Sequence, residues 1–221
     1  LKLASSFDGR IATATGESRW ITGAGARAMV HAMRARHDGV LVGGGTARAD
    51  DPLLDVRGLG VTQQPVRMVW TRHLDLPLSG KLAQAASKYP VWICHGDDAD
   101  PGLVRVWRDL GARLFAVPSG ATRQIEPELA LRALGEAGLT RVFCEGGGAL
   151  AASLLSAGLV DRLVGFTAGL ALGVEGQPSL GALGLGRLAD APRFRLTEVR
   201  DVAGDVMHVW RRNGEAALKR L

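Results

Sequence analysis

Five short apolar runs, GVLVGGG, VRMVW, VWIC, RLFAV and RVFCE, constrain what this chain can fold into more than any other feature. Each is bounded by glycine or polar residues and is the length of a strand rather than a helix, which suits strands buried on both faces. Helix-like stretches lie between the later runs, around Leu103–Leu110 and Pro127–Ala137. Strand and helix alternating in this way predict a mostly parallel sheet covered by helices, because parallel neighbours require a crossover between them.

Both flanks extend this pattern. LKLA and GRIAT read as strands, with the Asp8-Gly9 turn signal just before the second. In GAGARAMVHAMRARH, the residues Ala26, Met29, Val30 and Met33 recur at helical spacing while Arg27, His31 and Arg34 take another face, so an amphipathic helix is expected, with Thr22 placed to cap it. Toward the C-terminus, Arg162–Ala168 reads as a strand, a Gly-rich loop follows, and RFRLTEV and DVMHVWR flank Ala203-Gly204 as a hairpin. The reading is a mixed sheet with an antiparallel C-terminal edge, in one domain over residues 1–213 followed by a polar tail at 214–221.

The length of 221 residues fits one such domain. The formal charge of +5 comes almost wholly from scattered arginines, with no basic block and no aromatic interleaving, which points to a phosphorylated metabolite and away from nucleic acid. Two cysteines, Cys94 and Cys144, stand too far apart for a local metal pair and suit a reducing compartment. No apolar run approaches a membrane span and no signal segment is visible, so a cytoplasmic protein without a membrane partner is expected.

The strongest chemical signal is RVFCEGGGALAASLL, a strand, three glycines and an Ala/Leu-rich helix. Glycines there let a ligand approach the backbone, and the helix start offers free N–H groups, which suits a pyrophosphate; a tight strand-to-helix turn explains the same residues. Gly43-Gly44-Gly45-Thr46 is a second turn of this kind, and two glycine turns at strand ends suggest a crevice. Asp50-Asp51-Pro52 reads as an acid pair or as a turn cap. Lys2 and Glu145 are placed at the carboxyl-side regions of two strands, as a polar pair or as a surface lysine and a helix cap. The histidines are dispersed, so no metal cluster is spelled out, and neither a G-x-S-x-G elbow nor the H-x-E and P-C-x-x-C of a zinc deaminase occurs.

Taken in order, KLASSFDGRIAT, GESRWIT, the Arg34-containing helix, VGGGTARADDPLLDVR and VFCEGGGAL resemble the reductase domain of the bifunctional riboflavin-biosynthesis deaminase/reductase over essentially residues 1–213. The resemblance implies a three-layer, dihydrofolate-reductase-like fold and an NADPH-dependent reduction of 5-amino-6-(5-phosphoribosylamino)uracil to its ribitylamino counterpart. It implies that Ala4, Trp20, Thr46, Asp50, Gly147, Gly148 and Ala149 line the NADPH site, with Thr71 and Arg72 near the 2′-phosphate. Ser18, Arg34, Leu54, Arg57 and Glu145 would face the substrate, Arg34 and Arg57 as a clamp on its phosphate. Lys2 and Glu145 would be a polar pair beside the reacting carbon. A homodimer and an upstream deaminase domain are the implied partners. The rival readings are a reductase of a related pterin or pyrimidine, which the two arginines disfavour, and a nucleotide-binding module that has lost its chemistry.

Overall fold

Each of the five apolar runs forms a strand. The structure, a computed structural model, describes residues 1–120 and 124–213; the tail expected at 214–221 lies outside the described residues. The elements in chain order are β1 (Lys2–Ser6), β2 (Arg10–Ala12), α1 (Ala24–Arg34), β3 (Gly39–Gly43), α2 (Gly44–Asp50), β4 (Val66–Trp70), α3 (Lys81–Ala85), β5 (Val91–Gly96), α4 (Pro101–Asp109), β6 (Arg113–Val117), α5 (Pro127–Glu136), β7 (Val142–Cys144), α6 (Gly148–Ser156), β8 (Arg162–Ala168), β9 (Gln177–Pro178), β10 (Phe194–Val202) and β11 (Asp205–Arg212).

Where the sequence suggests one domain with one sheet, the chain divides into two compact units, His31–Gly147 and Leu1–Val30 with the segment from Gly148 onward. The reason is strand pairing. β1 joins β8, and β8 joins β11, so the two ends of the chain build a sheet of their own, ordered β1-β8-β11-β10, and do not extend the parallel one.

The unit His31–Gly147 holds a five-stranded parallel sheet ordered β6-β5-β4-β3-β7. β3 and β4 lack polar alternation because both their faces are covered: Val40, Leu41, Val42, Met68 and Val69 are buried, with Trp107 from α4 and Leu134 from α5. α4 starts where Pro101 sets the first-turn geometry and the Asp100 side chain accepts the Gly102 N–H at 2.6 Å, a cap whose loss typically costs ~1 kcal/mol. The edge strand β6 is shielded by charge, since the Arg113 guanidinium lies over the rings of Trp92 and Phe115.

In the other unit, β10 and β11 form the expected hairpin, and Ala203 (φ 54°) and Gly204 (φ 93°) are both left-handed, the geometry of a two-residue primed turn. Ala151, Ala152, Leu154 and Leu155 of α6 are buried, so the Ala/Leu richness of that helix is core. Thr22 is not the flanking residue of α1. Gly23 is, and its N–H donates to the carboxylate of Asp205 at 2.6 Å, so the hairpin supplies the partner expected from a local cap. Among the described residues no helix is long and apolar enough to cross a membrane.

Candidate active site

In the parallel sheet, the strands following β3 run outward in one direction through β4, β5 and β6, and the chain then returns to place β7 on the other side of β3. Such a reversal leaves a crevice beyond the carboxyl ends of the two strands flanking it, the usual ligand position in open α/β sheets. The segments that leave those ends are Gly43–Thr46 and Glu145–Gly147, the two glycine turns singled out from sequence.

They are laced together. Gly43 N–H donates to the Gly146 carbonyl at 3.1 Å, and Glu145 N–H to the Leu41 carbonyl at 2.9 Å. Gly147 has φ 48°, and a Cβ there would stand 2.9 Å from the Thr46 hydroxyl, so packing as well as conformation requires glycine. Gly45, by contrast, is exposed with nothing within 4 Å of where a side chain would begin. Of the Gly43–Thr46 turn read from sequence, Gly44 onward forms the helix α2; Gly44 itself is buried, so the backbone that a ligand can approach closely is that of Gly45.

Glu145 is the centre of the polar geometry. Arg34, the last residue of α1, meets it side-on: Nε donates to Oε1 at 2.5 Å and Nη2 to Oε2 at 2.8 Å. The remaining Nη1 donates to the Asp55 carbonyl at 2.7 Å. Both side chains are almost enclosed, at 12% and 11% exposure. Burial alone would lower the pKa of Arg34, but the hydrogen bonds and charge of Glu145, aided by Asp55, more than offset it and raise it. The arginine expected as half of a phosphate clamp therefore has its fork occupied by a carboxylate and a carbonyl.

Arg57, the other half, is 71% exposed, with Nε 3.3 Å from Asp55 Oδ1. Its backbone N–H donates to Nδ1 of His31 at 3.2 Å. Leu54, in the same loop, is buried at φ 53°, a left-handed backbone that costs a leucine of order 1 kcal/mol or more. Asp51 has a structural contact, though not the local turn cap read from sequence: its Oδ1 accepts the N–H of Lys81, the first residue of α3, at 2.8 Å. Asp50 ends α2.

Beyond β4, Thr71 is buried and donates to Asp75 at 2.7 Å, and Asp75 also takes Arg48 at 2.9 Å. Arg72 forks onto Asp98, with Nε 3.3 Å from Oδ1 and Nη2 on Oδ2. The Arg72 hydrogen bond holds the Asp98 carboxyl below the usual carboxylate range.

The remaining predicted residues belong to the unit formed by the chain ends. Lys2 is the correction here: it opens β1 opposite Val164, at the amino end of its strand and not the carboxyl end, because the strand runs on to Ser6. Ala4 pairs with Phe166. Ser18 is half-buried, and Trp20 is 68% exposed beneath the Arg27 guanidinium, 4.3 Å from the ring centre. Gly148 is packed against the 178–181 segment, and its carbonyl accepts the Gly181 N–H at 2.9 Å; Ala149 is exposed.

Sequence reasoning missed two groups. Asp55 lies within the DPLLDVR run that supplied its neighbours. Arg67 is fully buried on β4, with Nε on the Leu53 carbonyl at 2.9 Å and its plane 4.2 Å from the Tyr89 ring; an arginine inside an apolar strand was the available signal. Cys144, beside Glu145, is no nucleophile, since burial pushes its thiol up to about 11.

The profile of the RibD C-terminal domain matches residues 1–208. The riboflavin biosynthesis protein RibD of Escherichia coli K12 is 33% identical over 215 residues, covering 93% of this chain and 57% of that protein. Among solved structures, Acinetobacter baumannii RibD superposes with a TM-score of 0.80 at 29% identity, covering 96% of this chain and 56% of that one. A Thermotoga maritima diaminohydroxyphosphoribosylaminopyrimidine deaminase/5-amino-6-(5-phosphoribosylamino)uracil reductase gives 0.76 at 26% identity, with 96% and 55% covered. The chain spans little more than half the length of these relatives. It belongs to the RibD C-terminal domain family, whose α/β fold it shares.

Proposed function

We propose that this chain catalyses the NADPH-dependent reduction of 5-amino-6-(5-phosphoribosylamino)uracil to 5-amino-6-(5-phosphoribitylamino)uracil. The observation that carries the reading is family membership over nearly the whole chain. Of the two activities in the name of the Thermotoga maritima relative, deamination calls for zinc-ligand motifs that this sequence lacks, and reduction is left.

The residues present fit a dinucleotide. Gly45 offers open backbone at the crevice, Thr46 a hydroxyl, and Asp50 closes the same helix. When bound, the reduced nicotinamide supplies the hydride that the opened sugar carbon accepts. Arg57, exposed within the loop between α2 and β4, is proposed to take the substrate phosphate as a charge-assisted contact. Glu145 is proposed to accept hydrogen bonds from the substrate and so fix the carbon facing the hydride donor. Lys2 is assigned on chemistry alone as the group that supplies positive charge or a proton as negative charge develops on the heteroatom. Thr71 and Arg72 are proposed to read the 2′-phosphate, which would take over from the Asp98 carboxylate on Arg72.

Adding the phosphoribosylaminopyrimidine to enzyme and NADPH should make the nicotinamide absorbance fall, with the ribityl product formed mole for mole. Oxidation without that product, or none, would reject the reading. We also propose a homodimer. β10 is an edge strand that exposes Leu196 and Val199, with Val206 exposed on β11, an edge that a second copy would cover. Sedimentation at micromolar concentration should give twice the chain mass; monomer alone would overturn it.

A further inference from the structure

We infer that Arg67 is a positioning residue: from inside the parallel sheet it holds the Leu53 carbonyl and so fixes the loop that presents Leu54 and Arg57. The inference rests on the proposed contact between Arg57 and the substrate phosphate.

An arginine on a strand of the sheet core needs a reason. Arg67 lies on β4 between Val40 of β3 and Val91 of β5, and only 1% of it is exposed. Among the described residues its Nη1 is buried without a hydrogen bond, and burial lowers its pKa against the opposing charge of Asp55. A cation so placed does little for stability, since buried charged groups can often be replaced by apolar side chains of similar volume without loss. What the guanidinium does make is directional. Its Nε donates to the Leu53 carbonyl at 2.9 Å, and its centre stands 4.2 Å from the centroid of the Tyr89 ring, a cation–π contact that steadies the side chain.

The contact falls where the loop is strained. Leu54, the next residue, is buried in a left-handed conformation that a leucine keeps only where its surroundings enforce it. On its other side Val56 is held at both backbone groups by one amide: its N–H donates to Gln64 Oε1 at 2.7 Å, and Gln64 Nε2 donates to its carbonyl at 3.2 Å. Leu54 is thus bracketed by side chains of the segment that enters β4, and Arg57 follows directly. Gln64 precedes the strand, whereas Arg67 is paired into the sheet on both sides, so Arg67 ties the loop to the rigid core. Arginine suits this task, because lysine has a methylene where Nε stands.

The test uses Arg67→Met, Arg67→Lys, Arg57→Gln and the Arg67→Met/Arg57→Gln double variant. Ribose 5-phosphate binding, read by calorimetry, should weaken at least about fivefold in Arg67→Met and at least about tenfold in Arg57→Gln, and the double should bind no more weakly than Arg57→Gln. Arg67→Lys, which keeps the charge and loses the Nε–H, should weaken binding at least about threefold. In turnover, Arg67→Met should raise KM for the phosphorylated substrate about as far as it weakens ribose 5-phosphate, with kcat changed less than about threefold and NADPH affinity unchanged. Urea should unfold Arg67→Met no more easily than wild type. Wild-type binding of ribose 5-phosphate in either Arg67 variant would overturn the inference. So would losses that multiply in the double variant, which would put the effect of Arg67 outside Arg57, or a clear loss of stability in both Arg67 variants, which would make it a structural residue. A wild type that binds no ribose 5-phosphate would overturn it together with the phosphate role of Arg57. Absence of NADPH oxidation by a wild type that does bind would sink the proposed reaction instead, leaving the binding comparison to decide the role of Arg67.

Discussion

Two arginine–carboxylate forks stand in the same parallel-sheet unit and differ in one respect. Arg34 on Glu145 is enclosed, at 12% and 11% exposure, while Arg72 on Asp98 is half-open, at 22% and 44%. The enclosed fork is held from a third side by a backbone carbonyl, and at this exposure solvent compensates poorly for a lost partner. The open fork can exchange partners cheaply, because solvated ion pairs contribute little net stability and a ligand phosphate satisfies arginine as well as a carboxylate does. The difference separates an enclosed fork from one whose carboxylate a ligand phosphate could replace at little cost.

Breaking the enclosed fork should have the largest effect. Glu145→Gln keeps the shape and removes the charge, and steady-state turnover should drop at least about a hundredfold with folding intact by circular dichroism. Near-normal turnover in a folded variant would remove Glu145 from the mechanism. Lys2→Met, measured alongside, should lose a comparable factor if its assigned role is correct.

Arg57→Ala should act next, on binding. The Michaelis constant for the phosphorylated substrate should rise by the worth of a charge-assisted contact, roughly 1.5–3 kcal/mol, with NADPH affinity nearly unchanged. Equal weakening of both ligands would make Arg57 a structural residue.

The smallest effect concerns His31, which accepts the Arg57 N–H. Burial first, then the charges of Arg34 and Arg57, lower its pKa in the fold. The unfolded chain therefore binds the proton more readily, and stability is full above the ordinary histidine value of about 6.5 and declines as pH falls from there toward the lower folded value. Urea midpoints measured at pH 7.5 and 5.5 should differ less in His31→Gln than in wild type. An unchanged pH slope would show that the imidazole is not held neutral.

Much of this was legible in the residues, and what was not has a common cause. The buried strands, α4, α5 and the Ala203-Gly204 turn are each specified within a few neighbouring positions. Glu145 and the glycine turn after β7 were visible for the same reason. Pairing is not local: that β1 joins β8 depends on segments about 160 residues apart, so the second sheet could not be read. Lys2 was assigned to the wrong end of its strand, since a four-residue apolar run does not show how far the ladder continues. The Arg34–Glu145 fork spans 111 residues, and both groups were selected for chemistry without any sign that they would be partners.

The most direct test is to measure kcat/KM with NADPH and with NADH for Arg72→Glu and Arg34→Gln side by side. Arg72→Glu should lose far more with NADPH than with NADH, so that selectivity collapses, while Arg34→Gln should lose turnover with both cofactors in equal proportion and keep the wild-type selectivity. If Arg72→Glu keeps its full preference for NADPH, or if Arg34→Gln alters the preference while turning over normally, the open fork does not read the cofactor's 2′-phosphate as proposed.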